Sequence, residues 1–414
     1  MEKWRRNLYT VWFTQFLSLL GFGFGLPFIP YYIQELGVTD PEALKLWTGW
    51  LTSSPALALA IMAPVWGLLA DRLGKKLMLI RAMAGGTLVL AGLGFVNSAQ
   101  GVLILRIVQG LFTGTVTSSA ALVASGTPDK KLSYALGFVS SSTFIGWSLG
   151  PAVGGLVAEH FGYRPSFLIG SGIMFAGLLL VLLLIQEPTP EMAGRLSATP
   201  EKNYTEGRKT GKSETRGLKL LTPLLFLLFF LFFFIRLSRV LPTPFLPLLV
   251  QEMRGTIEGS ARITGLISGG VALAAAVSGL TLARLGDRMD RLKLLSLLIG
   301  AGAFTSALIP AFSGFTIIVI SQLLTYFFIG GVEPLLMSIT SEQVNSESRG
   351  FLFGIQTAVG SAAWFFSPLI GSRISVAYGT PAIFALFPVL LGFTTILSIA
   401  VRRAAKHAVQ APPS

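Results

Sequence analysis

Glu333, in the run Gly330-Gly331-Val332-Glu333-Pro334, is the only carboxylate near the middle of a long apolar stretch, a position suited to taking up and releasing a proton. Arg236 and Arg239 stand three positions apart and therefore on one face of a helix, where they could neutralise Glu333 or receive an anionic solute. A further deep charge, Arg106 in Leu105-Arg106-Ile107-Val108-Gln109-Gly110, costs about 3 kcal/mol in hydrocarbon unless it points into a wet or paired interior. Such charges suit proton movement or ion pairing; no catalytic constellation accompanies them. With no cysteine and only His160 and His407 among 414 residues, thiol catalysis, disulfides and cysteine-held metal are excluded, and neither cofactor nor metal site is expected. Glu35 and Glu159 fall near span ends, where solvated roles are expected.

The elements that must hold these groups are membrane helices. Hydrophobic residues make up 52% of the chain and charged residues 12%, and the mean hydropathy is +0.70, too apolar for an ordinary soluble domain. Windows of about 20 apolar residues predict twelve spans, an all-α integral membrane protein. The first six cover about 7–35, 45–70, 77–97, 99–123, 131–160 and 165–186; the second six about 219–250, 258–284, 292–312, 314–341, 349–377 and 381–402. The runs are too long for barrel strands and lack their alternation. The two halves repeat: Gly137, Pro151, Gly154, Gly162 and Phe167 recur as Gly354, Pro368, Gly371, Gly379 and Phe384, and Asp71-Arg72 as Asp287-Arg288. Two pseudo-symmetric six-helix bundles, 1–186 and 219–414, are expected around a linker, 187–218, rich in Pro, Gly and charge.

Of the 32 Lys and Arg residues, 24 fall in the segments that share a side with the termini and four, Lys45, Arg164, Arg254 and Arg262, in those opposite. That bias predicts both termini in the cytoplasm and accounts for a net charge of +13 as contact with anionic lipid, with no nucleic-acid partner. The first apolar run follows a basic start but shows no small-residue cleavage site, so a retained helix is expected rather than a signal peptide.

Three strings carry recognisable chemistry. In Gly67-Leu68-Leu69-Ala70-Asp71-Arg72-Leu73-Gly74-Lys75-Lys76, a missing side chain at Gly67 permits close helix approach, and a carboxylate at Asp71 can meet a helix N-terminus. Simple anchoring by positive charge is the plainer reading. Helix 5 holds Gly146, Gly150 and Gly154 on one face, with Gly155 following and Pro151 removing a hydrogen bond and bending the helix. Arg106-Ile107-Val108-Gln109-Gly110 is the third.

The first string resembles the signature loop of the major facilitator superfamily, Arg-x-x-Gln-Gly resembles its second motif, and Gly-x-x-x-Gly-Pro-x-x-Gly-Gly resembles the antiporter motif of its drug/proton exchangers. The resemblance implies a two-bundle fold, proton coupling at Arg106, and an inner latch. In the latch Asp71 meets the start of helix 11 near Ser348 to Gly350 and, by symmetry, Asp287 faces the start of helix 5 near Lys131. Gly67, Arg72, Gly74 and Arg288 belong to the same loops. Aromatic side chains sharing faces with the polar positions, Phe22, Phe233, Phe327, Phe328 and Trp364, together with Thr113, Arg236 and Arg239, are the candidate cavity residues, an adaptable pocket for lipophilic compounds.

The expectation is a bacterial inner-membrane, monomeric, proton-driven exporter of lipophilic small molecules working by alternating access, with Arg106 and Glu333 in coupling. The rival is a proton-coupled importer or facilitator of a small anionic metabolite; an enzyme or a sensor finds no support in the residues.

Overall fold

The structure, a computed structural model, describes residues 2–188, 223–312, 314–343 and 349–410, so most of the expected linker lies outside the described residues. Twelve helical spans appear in the expected order, with no strand among the described residues. α1 runs Lys3–Gly25, tightens through a 3-10 turn at Leu26–Phe28 and resumes over Ile29–Glu35; α2 is Pro41–Leu73, α3 Lys75–Phe95, α5 Leu132–Phe161 and α6 Tyr163–Leu184. α4 has two segments, Ala99–Phe112 and Thr115–Gly126. α7 covers Pro223–Val240 and, after a turn, Leu246–Arg254; α8 is Ser260–Thr281 and α9 Arg291–Ser306. α10 is split into Phe315–Ile329 and Val332–Glu342, followed by α11, Arg349–Tyr378, and α12, Thr380–Gln410.

Ten of these spans are long and apolar enough to cross a membrane. The other two, α5 and α11, are 30 residues each; their Ser, Thr, Gly and Pro content dilutes the apolar character without shortening the helix.

Local chemistry sets the helix ends. Asp40 Oδ2 accepts the Ala43 N–H at 2.8 Å and Pro41 supplies the first helical residue of α2, where its missing N–H costs nothing. Ser98 Oγ does the same for α4 through the Gly101 N–H at 3.1 Å. The sequence predicts α1, α4, α7 and α10 as unbroken, and the structure interrupts all four, α7 where Pro242 and Pro244 stand between Val240 and Leu246. Pro27 and Pro30 tighten α1; Gly114, at φ +125, turns α4 through a conformation other residues seldom adopt; Gly330 and Gly331 divide α10.

Packing divides the chain into two units, Met1–Lys202 with Leu246–Gly270, and Asn203–Phe245 with Val271–Ser414. In the first, α1 is held by α5 and α6. Lipid offers no hydrophobic drive for helix pairing, so contact relies on small residues that bring backbones together. A Cβ on Gly21 would stand 2.6 Å from the Gly170 oxygen of α6, and one on Gly150 2.8 Å from the Gly23 Cα. In the second, α7 packs on α11 and α12, and α9 on α10 and α12. On α7, Phe229 and Phe232 are buried with Leu295, Leu336 and Phe387, whereas Phe226 and Phe230 are exposed, which gives that helix an interior and an outer face.

Candidate functional site

Glu333 stands in the first turn after the α10 break, where uncapped N–H groups favour a carboxylate. The break is braced by α8: Ser278 Oγ accepts the Gly331 N–H at 2.8 Å, and a Cβ on Gly330 would meet the Ala275 oxygen at 2.5 Å. Pro334 sits within the first turn and so sacrifices no helical hydrogen bond.

From this position Glu333 bridges both arginines of α7. Its Oε1 accepts Arg236 Nη1, and its Oε2 accepts Arg239 Nη1 at 3.0 Å. The three side chains are 20%, 33% and 29% exposed respectively, so the cluster is mostly removed from solvent. Tyr326 Oη donates to the Arg239 carbonyl at 2.7 Å, and Gly360 of α11 leaves room for the Arg236 stem at 3.6 Å. One carboxylate against two guanidiniums leaves a surplus positive charge inside the second unit. The expected face-sharing pair and its acid are thus together.

Arg106 is buried, and among the described residues no acidic side chain lies within ion-pair distance of it. Its Nε donates to the Leu51 carbonyl of α2 at 2.8 Å and its Nη1 to Gln109 Oε1. The Leu51 carbonyl is available because its normal helical donor would be residue 55, and Pro55 has no N–H. A proline on one helix therefore creates the acceptor that an arginine on another takes up. Gly110 lets α4 lie against the Pro55 backbone.

The glycine string of α5 serves two neighbours. Gly146, Gly150 and Gly154 face α1, where a Cβ on Gly154 would come 2.5 Å from the Phe24 Cα. Gly155 faces α8: its Cβ would stand 2.6 Å from the Ala261 oxygen, Gly265 lies against the Pro151 carbonyl, and Ser148 Oγ donates to the Gly269 carbonyl at 2.9 Å.

The loop between α2 and α3 has a partner that sequence reading missed. Glu187, at the end of α6, accepts the backbone N–H of Lys75 at 2.6 Å and of Lys76 at 2.8 Å, capping α3 with a carboxylate. Gly74, at φ +95, carries that carboxylate where a Cβ would stand. Arg72 and Arg288 are exposed, and space is open at Gly67. The side chains of Asp71 and Asp287, and those at 348–350 that Asp71 is expected to meet, lie outside the described residues.

The remaining cavity candidates are spread over both units. Phe22 is buried, with its ring tip beside Gly86. Thr113 ends the first segment of α4 and its hydroxyl donates to the Gln109 carbonyl. Phe327 and Phe328 are half-buried in an edge-to-face pair at 5.6 Å, Phe233 contacts Phe234 in the same manner at 5.5 Å, and Trp364 is exposed. Arg81 of α3 stacks its guanidinium 3.8 Å from the Trp66 ring of α2.

Comparison with known proteins agrees with this architecture. The Major Facilitator Superfamily model matches residues 11–257 and again 228–413. Similar along nearly the whole length are the multidrug resistance protein MdtG of Proteus mirabilis (strain HI4320), 30% identical over 408 residues and 96% of each chain, and that of Salmonella arizonae, 31% identical over 400 residues and 95% of each chain. Among solved structures, the nucleoside transporter NupG superposes with a TM-score of 0.71 at 14% identity, covering 96% of this chain and 98% of its own. The human organic anion transporter MFSD10 (TETRAN) gives 0.65 at 18%, covering 96% and 100%. At such identities the last two speak for the fold alone. Twelve helices with an internal repeat, three matching motifs and relatives of equal length lead to one conclusion: this multi-pass membrane protein belongs to the Major Facilitator Superfamily.

Proposed function

We propose that this chain exports small lipophilic molecules across a bacterial inner membrane in exchange for protons, by alternating access. Full-length similarity to proteins named multidrug resistance protein MdtG supports the substrate class and direction. The observation that carries the coupling is the bridging of two span arginines by a single span carboxylate, Glu333. A proton on Glu333 removes its charge, weakens both ion pairs and leaves Arg236 and Arg239 to repel one another. Return of the carboxylate restores the clamp. Proton occupancy thereby changes how α7 and α10 are held together, which is the lever that alternating access needs.

In this reading 1–186 and 219–414 are the two rocking bundles, joined by the 187–218 linker, with both termini cytoplasmic. Gly67, Asp71 and Arg72, and Asp287 with Arg288, latch the inner side; Phe233, Phe327, Phe328, Trp364 and Thr113 offer the adaptable surface. The chain acts as a monomer. The surplus positive charge of the arginine pair favours one second reading, proton-coupled uptake of a small anion.

Inverted membrane vesicles separate the two. With an acid lumen, a fluorescent lipophilic dye should accumulate inside, a protonophore should release it, and Glu333→Gln should abolish accumulation while the protein remains in the membrane. Gradient-independent dye movement, or full activity in Glu333→Gln, overturns the coupling. A labelled organic anion moving with protons, in place of the dye, would favour uptake.

A further inference from the structure

We infer that Gln34 and Gln251, with Tyr31, are positioning residues of the transport cycle: an uncharged seal that closes the helix ends opposite the termini. The inference rests on the alternating-access reading. Gln34 lies at the end of α1 and Gln251 at the end of α7, and their carboxamides pair reciprocally. Gln34 Nε2 donates to Gln251 Oε1 and Gln251 Nε2 to Gln34 Oε1, each at 2.9 Å. The spacing of the two residues, 217 positions, equals that of the repeat, so each glutamine meets its own counterpart. The second Nε2 proton of Gln34 goes to the Pro30 carbonyl at 3.0 Å, which fixes the amide before it pairs.

Tyr31 adds a one-sided bolt to this symmetric pair. It is fully buried; its hydroxyl donates to the Pro247 carbonyl of α7 at 2.6 Å and shares a hydrogen bond with Thr264 Oγ1 of α8 at 2.9 Å. The counterpart of Tyr31 in the second half is Leu248, which has no such group to offer.

Carboxamides neither titrate in the physiological range nor form salt-screened ion pairs. The amide pair itself therefore has no proton to gain or lose with which to sense the pH difference across the membrane. Neutral hydrogen bonds are also individually weak enough to be broken in every turnover.

The test uses the full chain in membranes with a single reporter thiol, unambiguous because the sequence has no cysteine. Ala152→Cys places it on α5 opposite Gly269 of α8, inward of the seal, and a membrane-impermeant maleimide is applied from each face in turn. Gln34→Glu with Gln251→Glu sets two carboxylates opposite each other, and labelling from the face opposite the termini should rise on the order of tenfold. Gln34→Glu with Gln251→Lys supplies an attractive pair and should return labelling to the parent level; Tyr31→Phe should lie between. The inference is overturned if the repulsive pair labels no faster than the parent, or if the attractive pair is as leaky as the repulsive one, which would mean general loosening. Because the readout is accessibility and not export, a failure of the seal is distinguishable from a failure of the proposed function.

Discussion

Glu333→Gln should destabilise the protein by about 3 kcal/mol, an amount that follows from the charges Glu333 leaves behind. Two charge-assisted hydrogen bonds disappear, each worth about 1.5–3 kcal/mol, and the amide oxygen regains a neutral one worth about 1 kcal/mol. The repulsion between Arg236 and Arg239, about 3 kcal/mol at about 5–6 Å and an effective dielectric of about 20, is present in parent and variant alike; the variant only loses the carboxylate that offset it. Roughly a third of each guanidinium side chain is exposed, so water screens a good part of that sum. Purified protein compared at one scan rate should melt about 6–12 °C lower, at about 2–4 °C per kcal/mol for a unit of this size. Arg236→Gln added to Glu333→Gln removes the uncompensated cation and should recover about half of the loss. An unchanged melting temperature in Glu333→Gln, or a double variant no more stable than the single one, refutes the charge argument.

Three further outcomes follow from other contacts. Gly154→Ala puts a methyl group against the Phe24 backbone, which cannot swing aside, and should cost about 1–3 kcal/mol in thermal stability, whereas Ala at Gly137, where space is open, should cost little. Arg106→Lys loses the rigid fork that spans the Leu51 carbonyl and Gln109 and should lose about 1–3 kcal/mol along with gradient-driven dye transport; Pro55→Ala, which restores a competing N–H, should lower transport in the same assay. At the α9 N-terminus, burial alone would raise the Asp290 carboxyl, but the Lys293 N–H and the Arg402 charge outweigh it and hold the group below the usual carboxylate range. Its folded pKa lies below the unfolded value of about 3.9, so its contribution is complete above that pH and fades as pH falls through the folded value. Melting curves between about pH 2 and 5 should lose this acid-side slope in Asp290→Asn.

The number and order of the spans were legible because apolar runs of membrane length have no other solution than helices. The Glu333 cluster was legible too, since spacing of three on α7 and a lone buried acid leave few other partners. The glycine stripe of α5 announced a close contact but not its neighbour; periodicity marks a face, and only the fold assigned α1 to Gly146, Gly150 and Gly154 and α8 to Gly155. The acceptor for Arg106 was hidden because it is a backbone carbonyl, that of Leu51, 55 residues away and freed by Pro55. Glu187 capping α3 from 112 residues away leaves no local signal at all. The breaks in α4 and α10 were written in Gly114 and Gly330-Gly331, yet isolated glycines are common enough in membrane helices that a continuous span was the natural reading.

A residue that touches its own counterpart is what an isologous interface must contain at its two-fold axis. The Gln34–Gln251 carboxamide pair has that form, with identical groups exchanging identical hydrogen bonds. Tyr31, whose counterpart in the second half is Leu248, marks a position next to that pair where the two halves have diverged.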